Sequence, residues 1–283
     1  MRLGAELDGT FDDPDRWIAA LRERGYDAAI FPLDGDPPLD LARALAEAAR
    51  RADVLIAEVG AWSNPLHPDP DVRREKIELC RRRLALADEI GARCCVNVAG
   101  SRGEDWLWAH PLNYAEHTFD LVVESLRSIV DAVKPRRTFY TVETMPWMVP
   151  DSPQAYLKLL EAVDRPAVAV HLDVANMMNC PSRYLANADF IRECFDLLAP
   201  RIKSCHAKDV ILERELTVML REVPPGKGGL DYRTYLRCLD RLGPDAPLLI
   251  EEFGDAAHRR SAEYLRALAA EVGVAGRAGG GAS

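Results

Sequence analysis

The chain has 283 residues, with 36 Lys and Arg against 45 Asp and Glu and a formal net charge of −9; at 48% hydrophobic and 29% charged it is an ordinary globular mix, long enough for a large core. The acidic balance argues against a general nucleic-acid binder, which needs a basic face, and no apolar run of about 18 residues is present to span a membrane. The opening MRLGAELDGTFDD lacks the apolar stretch of a signal peptide, and seven cysteines, an odd number with no C-x-x-C pair, argue against disulfides or thiolate zinc; both point to the cytoplasm.

Short β-rich runs recur along the chain: LGAEL (3–7), AAIFPL (28–33), VLIAEVG (54–60), RCCVNVAG (93–100), TFYTVETMP (138–146), VAVHLDV (168–174), IKSCHAKD (202–209) and PLLIEEF (247–253). Helical patterns lie between them. Residues 40–52 form one, and 71–91 another, with Ile77, Cys80, Leu84, Ala87 and Ile90 on one stripe and Gly91 as a stop. In 119–133, Phe119, Val122, Val123, Leu126, Ile129, Val130 and Val133 share one face. Asp151-Ser152-Pro153 opens a further helix with a cap residue and a proline in the first turn. Segments 184–199, 231–242 and 258–272 complete the alternation. Eight such units predict one (β/α)8 TIM barrel over residues 1–272, followed by a disordered tail, 273–283. A doubly wound open sheet would also alternate, but no G-x-G-x-x-G follows the first strand.

Catalytic groups of such barrels project from the C-terminal ends of the strands. The fifth run carries Glu143 there, the sixth His171 and Asp173, the seventh His206, Lys208 and Asp209, and the eighth Glu251 and Glu252. Carboxylates converging at one rim repel one another, and a divalent cation relieves that. Three carboxylates and an imidazole form a hard to borderline donor set. It suits one divalent ion, Mn²⁺ first, with Mg²⁺, Co²⁺ or Zn²⁺ as alternatives.

TVETMPW, HLDVAN, CHAKD and IE, in order on four successive strands, together with PPGKGGLDY (224–232), resemble the xylose-isomerase-like superfamily of TIM barrels, the sugar phosphate isomerase/epimerase or type 2 AP-endonuclease group. The resemblance runs over residues 1 to about 270. It implies Glu143, Asp173, His206 and Glu251 as metal ligands, and Glu143 and Glu251 as the pair that exchanges a substrate proton. It implies a sugar isomerase or epimerase acting next to the carbonyl of a ketose, inosose or related polyhydroxy compound. The alternative is a metal-dependent lyase, dehydratase or C-glycoside deglycosidase subunit acting on an oxidised keto sugar. Two positions depart from the pattern: Asn176 stands where many epimerases have His, and Leu212 where they have Arg, leaving Arg214 as the nearest substitute. Asn176 also argues against a trinuclear zinc centre of the DNA-cleaving kind.

His171 shares the parity of Asp173 one layer deeper, as support for a ligand or as a substrate contact. Lys208, two after His206, faces inward toward substrate or a rim carboxylate. Asp209 reads as structural, and Glu252 as turned to the opposite face. Loop 100–114 is long and holds Trp106, Trp108 and His110, as a lid or sugar-stacking wall would. Trp62 and Asn64 follow the third strand, Trp147 follows Glu143, and Lys227 sits at the mouth. The expected partner is a small carbohydrate, with no nucleic acid and no membrane; a homo-oligomer or a partner subunit stays open.

Overall fold

In the computed structural model, which describes residues 1–251 and 254–274, strands and helices alternate. The first half runs β1 (Arg2–Ala5), α1 (Pro14–Glu23), β2 (Ala28–Ile30), α2 (Leu39–Arg51), β3 (Leu55–Gly60), α3 (Pro70–Ile90), β4 (Cys94–Val98) and α4 (Glu116–Val133). The second half runs β5 (Tyr140–Glu143), α5 (Pro153–Val163), β6 (Val168–Leu172), α6 (Pro181–Leu185), α7 (Asn187–Leu198), β7 (Ile202–Ala207), β8 (Asp209–Leu212), β9 (Leu220–Val223), α8 (Tyr232–Asp240), β10 (Pro247–Ile250) and α9 (Asp255–Glu271).

Eight of these strands form one parallel sheet in the order β1-β10-β7-β6-β5-β4-β3-β2, nearly closed into a (β/α)8 TIM barrel. The remaining seam is bridged by Asp27, whose N–H donates to Leu3 O at 3.0 Å and whose Oδ1 accepts from Leu3 N–H at 2.7 Å. Gly4 permits that approach, since a Cβ there would lie 2.1 Å from Ala28 O. Under the barrel, the Arg2 guanidinium bonds Asp53 at 2.9 Å and Asp245 at 2.8 Å, drawing three strand starts together.

The helices begin and stop where local chemistry says they should. Asp69 caps α3 by accepting from the Asp71 and Val72 N–H groups, and Gly91 ends it at φ 69°. Ser152 caps α5 through Ala155 N–H. Helix faces such as Val122, Leu126, Ile129 and Val130 bury against the outside of the sheet, while the small inner cluster of Ala28, Ala57 and Leu249 fills the barrel itself.

Three elements differ from those the sequence pattern picks out. Helix α1, only ten residues long, fills a place that the eight-unit alternation requires but that no periodic stripe marks; it is held by burial of Trp17, Ile18 and Leu21. The expected helix 184–199 is two, because Asn187 turns its side chain to Tyr184 O at 2.7 Å and Gly229 O at 3.0 Å. Between β7 and α8 stands an antiparallel hairpin, β8–β9, in a stretch to which the sequence pattern assigns no element. Glu252 and residues 275–283 of the tail lie outside the described residues. All seven cysteines are free, and no described helix is long and apolar enough to cross a membrane.

Candidate metal centre and active site

The C-terminal rim of the barrel gathers four side chains from four neighbouring strands. Glu143 is the last residue of β5, Asp173 follows β6, His206 lies near the end of β7, and Glu251 follows β10. One potential ligand atom from each lies within 4.8 Å of the others. Parallel pairing sets this up: β10, β7, β6 and β5 are consecutive in the sheet, so equivalent strand ends stand side by side.

His206 turns Nδ1 toward the carboxylates, 2.7 Å from Glu251 Oε2, 3.3 Å from Glu143 Oε1 and 3.7 Å from Asp173 Oδ2. Lys208 Nζ lies 2.6 Å from Glu251, 3.0 Å from Asp173 and 3.8 Å from Glu143. Asn176 spans two of the four: its backbone N–H donates to Asp173 Oδ1 at 3.0 Å, and its Nδ2 donates to Glu143 Oε1 at 3.1 Å. Helix α8 holds β7 in place through Tyr235, which donates to His206 O at 2.9 Å, and Tyr232, which donates to Lys208 O at 2.6 Å.

Charge is concentrated here at low exposure. Burial pushes the Glu143 carboxyl above its usual range, and Glu251 pushes it further. Burial acts the same way on Glu251, but His206 and Lys208 outweigh it and hold that carboxyl down at about 2. Asp173 is likewise held well below the carboxylate range, by Lys208 and His206 against burial. Burial favours the neutral forms of His206 and Lys208, yet the surrounding carboxylates raise both well above their ordinary values. Asp173 Oδ2 and Glu251 Oε2, both buried, sit against Lys208 Nζ and the His206 ring as ion pairs rather than in well-aligned hydrogen bonds. Two such oxygens, beside an imidazole nitrogen and a third carboxylate, fit a divalent cation.

One layer deeper lies a residue the sequence reading missed. Glu58 of β3 is fully buried; its Oε1 meets His171 Nε2 at 2.8 Å and accepts from the Ser204 hydroxyl, while its Oε2 faces His206 Nε2 at 3.3 Å. Burial opposes its charge, but the two imidazoles outweigh burial and lower its pKa far below the usual value. His171 stacks edge-on against His206, with ring centroids 4.0 Å apart, and its Nδ1 has no hydrogen bond. Ligand atoms of Glu58, His171 and His206 also lie within 4.8 Å of one another. The available signal was a lone carboxylate inside the apolar run VLIAEVG, a costly group to bury unless paired.

Above this floor opens a cavity of about 960 Å³. Trp62, Trp106, Trp147, Asn176 and Lys208 line it together with Glu143, His206 and Glu251. Trp62 folds back over Gly60, where a Cβ would lie 2.5 Å from its Nε1. Trp108 does not line the cavity; it is 63% exposed and packs on Trp147 from outside, with centroids 5.3 Å apart. His110 is also outside the lining, where its Nδ1 caps the turn Pro111–Tyr114 by accepting from Leu112 N–H at 3.3 Å. His171 stays in the layer below; Arg214, in the β8–β9 connection, and Lys227, after β9, are both exposed and away from the lining. Asn64 ties two rim loops together by donating to Ser101 O and Gly103 O, each at 3.0 Å. Asp209 organises the PPGKGG loop, accepting from the N–H groups of Val210, Gly226, Gly228 and Leu230 at 2.9–3.0 Å.

With this geometry in place, comparison with known proteins is decisive about family. A family model described as xylose isomerase-like TIM barrel matches residues 18–268. The chain belongs to this family. Among solved structures, a D-tagatose 3-epimerase-like protein is similar, with 20% identity, a TM-score of 0.72, and 96% of this chain and 98% of that one covered. D-psicose 3-epimerase from Clostridium cellulolyticum H10, solved with D-tagatose, matches at 16% identity and a TM-score of 0.69, covering 96% and 99%. A xylose isomerase-like TIM barrel protein from Mycobacterium smegmatis, solved in complex with magnesium, matches at 15% identity and a TM-score of 0.68, covering 97% and 98%. No match is found among curated proteins. As a xylose isomerase-like TIM barrel, the chain shares its fold with these neighbours, and its acidic and histidine clusters are of a kind that could hold a metal ion.

Proposed function

We propose that the protein is a divalent-metal-dependent sugar isomerase or epimerase, moving a proton on the carbon next to the carbonyl of a ketose, inosose or related polyhydroxy substrate. The observation that carries this reading is the convergence of Glu143, Asp173, His206 and Glu251 within 4.8 Å at the floor of an open cavity. Family membership and the sugar epimerases among the structural neighbours support it.

Glu143, Asp173, His206 and Glu251 would hold the ion, His206 through Nδ1, with Mn²⁺, Mg²⁺ or Co²⁺ favoured over Zn²⁺ by the oxygen-rich donor set. When bound, a divalent ion there supplies Lewis acidity, which polarises a substrate carbonyl and acidifies the neighbouring C–H. Glu143 and Glu251 come from the strands that flank β6 and β7, so their carboxylates approach the substrate from the two sides of the site. One, ionised, would remove the proton, and the other, protonated, would deliver its own proton to the opposite face and invert the carbon, with solvent exchange resetting both carboxyls. Asn176 fixes Glu143 for that task, and Lys208 steadies Glu251. Glu58 keeps the proton of His206 on Nε2 and so leaves Nδ1 free to ligate. The elimination alternative shares the proton removal but needs an acid at the leaving group; neither His110 nor His171 lines the cavity.

The test is proton exchange by NMR in deuterated buffer, over a panel of ketoses and inososes with Mn²⁺ supplied. Exchange at one carbon is expected, falling roughly 10²–10⁴-fold in Glu143→Gln and Glu251→Gln. Exchange that persists undiminished in both variants would overturn the proposal.

A further inference from the structure

We infer that the substrate is an uncharged polyhydroxy carbonyl compound carrying an apolar, aromatic substituent. The inference rests on the proton-transfer reading for the carbonyl end and adds what the rest of the cavity holds.

Glu143, Asn176, His206, Lys208 and Glu251 make the floor polar, and Glu6, Asp34, Asn179 and Glu222 add polar groups elsewhere in the lining. Much of the remaining wall is apolar. Trp62, Trp106 and Trp147 come from the loops after β3, β4 and β5, and Val218 and Leu220 come from the β8–β9 hairpin, facing the same space as Leu107. A cavity of about 960 Å³ stands at the upper end of the roughly 300–1,000 Å³ of drug-sized ligand sites. A six-carbon sugar seated on the floor fills only part of that volume. It leaves the upper walls in water, where Trp62, Leu107 and Val218 are 39%, 50% and 59% exposed. Apolar surface clustered at a mouth marks a binding face, and indole faces favour a flat ring. Val218, Leu220 and Leu107 offer no hydrogen-bond partner to the hydroxyls of a second sugar.

Charge narrows the class further. Among the described lining residues only His206 and Lys208 can be cationic, and both are engaged by the floor carboxylates. Five carboxylates, Glu6, Asp34, Glu143, Glu222 and Glu251, line the same space. A phosphate or carboxylate on the substrate's far end would meet negative potential with no guanidinium or ammonium to receive it. The far end is therefore neutral as well as apolar.

The test is titration calorimetry of the Mn²⁺-loaded protein with four derivatives of one ketohexose, each substituted at the hydroxyl farthest from the carbonyl so that the carbonyl is kept: the phenyl ether, the methyl ether, the glucosyl disaccharide and the phosphate. The phenyl derivative should bind at least tenfold tighter than the methyl one. Trp62→Ala and Val218→Asp, both at partly exposed positions, should each shrink that preference about fivefold or more. Equal binding of phenyl and methyl derivatives within twofold overturns the inference. So does tightest binding by the disaccharide or the phosphate, or a preference that survives both substitutions. Solvent exchange measured on the same samples separates the two claims. Exchange without aryl preference removes this inference and leaves the proton-transfer reading, and aryl preference without exchange does the reverse.

Discussion

Glu58→Gln replaces a buried carboxylate by an amide of the same shape, and its effect should appear at the proposed metal ligands. In the wild type, Oε1 meets His171 Nε2 at 2.8 Å and the Ser204 hydroxyl, and Oε2 faces His206 Nε2 at 3.3 Å. Glutamine can keep the first set by presenting its carbonyl oxygen to His171. Its NH₂ then faces His206 Nε2 and cannot accept a proton from it. The His206 proton is driven to Nδ1, the nitrogen that faces Glu143, Asp173 and Glu251, and a protonated Nδ1 cannot ligate. A hydrogen bond to a charged group contributes about 1.5–3 kcal/mol, and each 1.4 kcal/mol is about tenfold in affinity. The expected loss is therefore about 10–100-fold in Mn²⁺ affinity, the range seen when the outer partner of a ligating histidine is removed. Competition with a fluorescent chelator near neutral pH measures it, with Ser204→Ala as a control that leaves both imidazole contacts in place and should lose threefold or less. Mn²⁺ affinity of a folded Glu58→Gln within twofold of wild type would refute the reasoning.

Other outcomes follow from the same geometry. Lys208→Met removes the ammonium among three buried carboxylates and should cost the metal-free protein about 3–5 kcal/mol in urea unfolding; added Mn²⁺ should recover more stability in the variant than in the wild type. Glu251 is held at about 2, below the ordinary carboxylate value of about 4.3, so its ionised form stabilises the metal-free fold above that ordinary value. This contribution is lost as pH falls through the folded value, so the urea midpoint should drop between about pH 4 and pH 2, with a flatter profile in Glu251→Gln. Asp209→Ala strands four N–H groups, those of Val210, Gly226, Gly228 and Leu230, and should cost about 2–4 kcal/mol. Hydrogen exchange over 224–230 should accelerate while the strand amides of β5 and β6 keep their protection.

The barrel was legible because each of its eight strands and most helices declare themselves locally, by short β-rich runs, cap residues and stop signals. The rim cluster was legible for a different reason. Glu143, Asp173, His206 and Glu251 are costly groups at the ends of apolar runs, and parallel topology brings strand ends together. Glu58 is also a costly group in an apolar run, but alternation misleads there. Ala29 pairs with Ile56 while Ile30 pairs with Glu58, so Ala57 is an extra residue and the facing of β3 is reset at that point. A similar shift in the β6–β7 pairing places Ser204 opposite His171. Such bulges leave no mark in the spacing of side chains. The rim loops were only half legible: their tryptophans pointed to a wall, but which indole enters the cavity depends on distant ties. Asn64 holds the loop after β4 from the loop after β3, and Asn113 accepts from Arg102 N–H at 2.9 Å, so Trp106 faces inward and Trp108 stays outside. The β8–β9 hairpin depends on pairing across seven intervening residues, which periodicity within one segment does not reveal.

The central claim is that four rim side chains hold one divalent ion, and metal counting by native mass spectrometry tests it most directly. Wild-type protein incubated with Mn²⁺ and passed through a desalting column should carry one ion per chain, and Asp173→Asn and His206→Ala should each carry essentially none while remaining folded. A wild-type chain that retains no ion, or variants that retain it in full, would contradict the account.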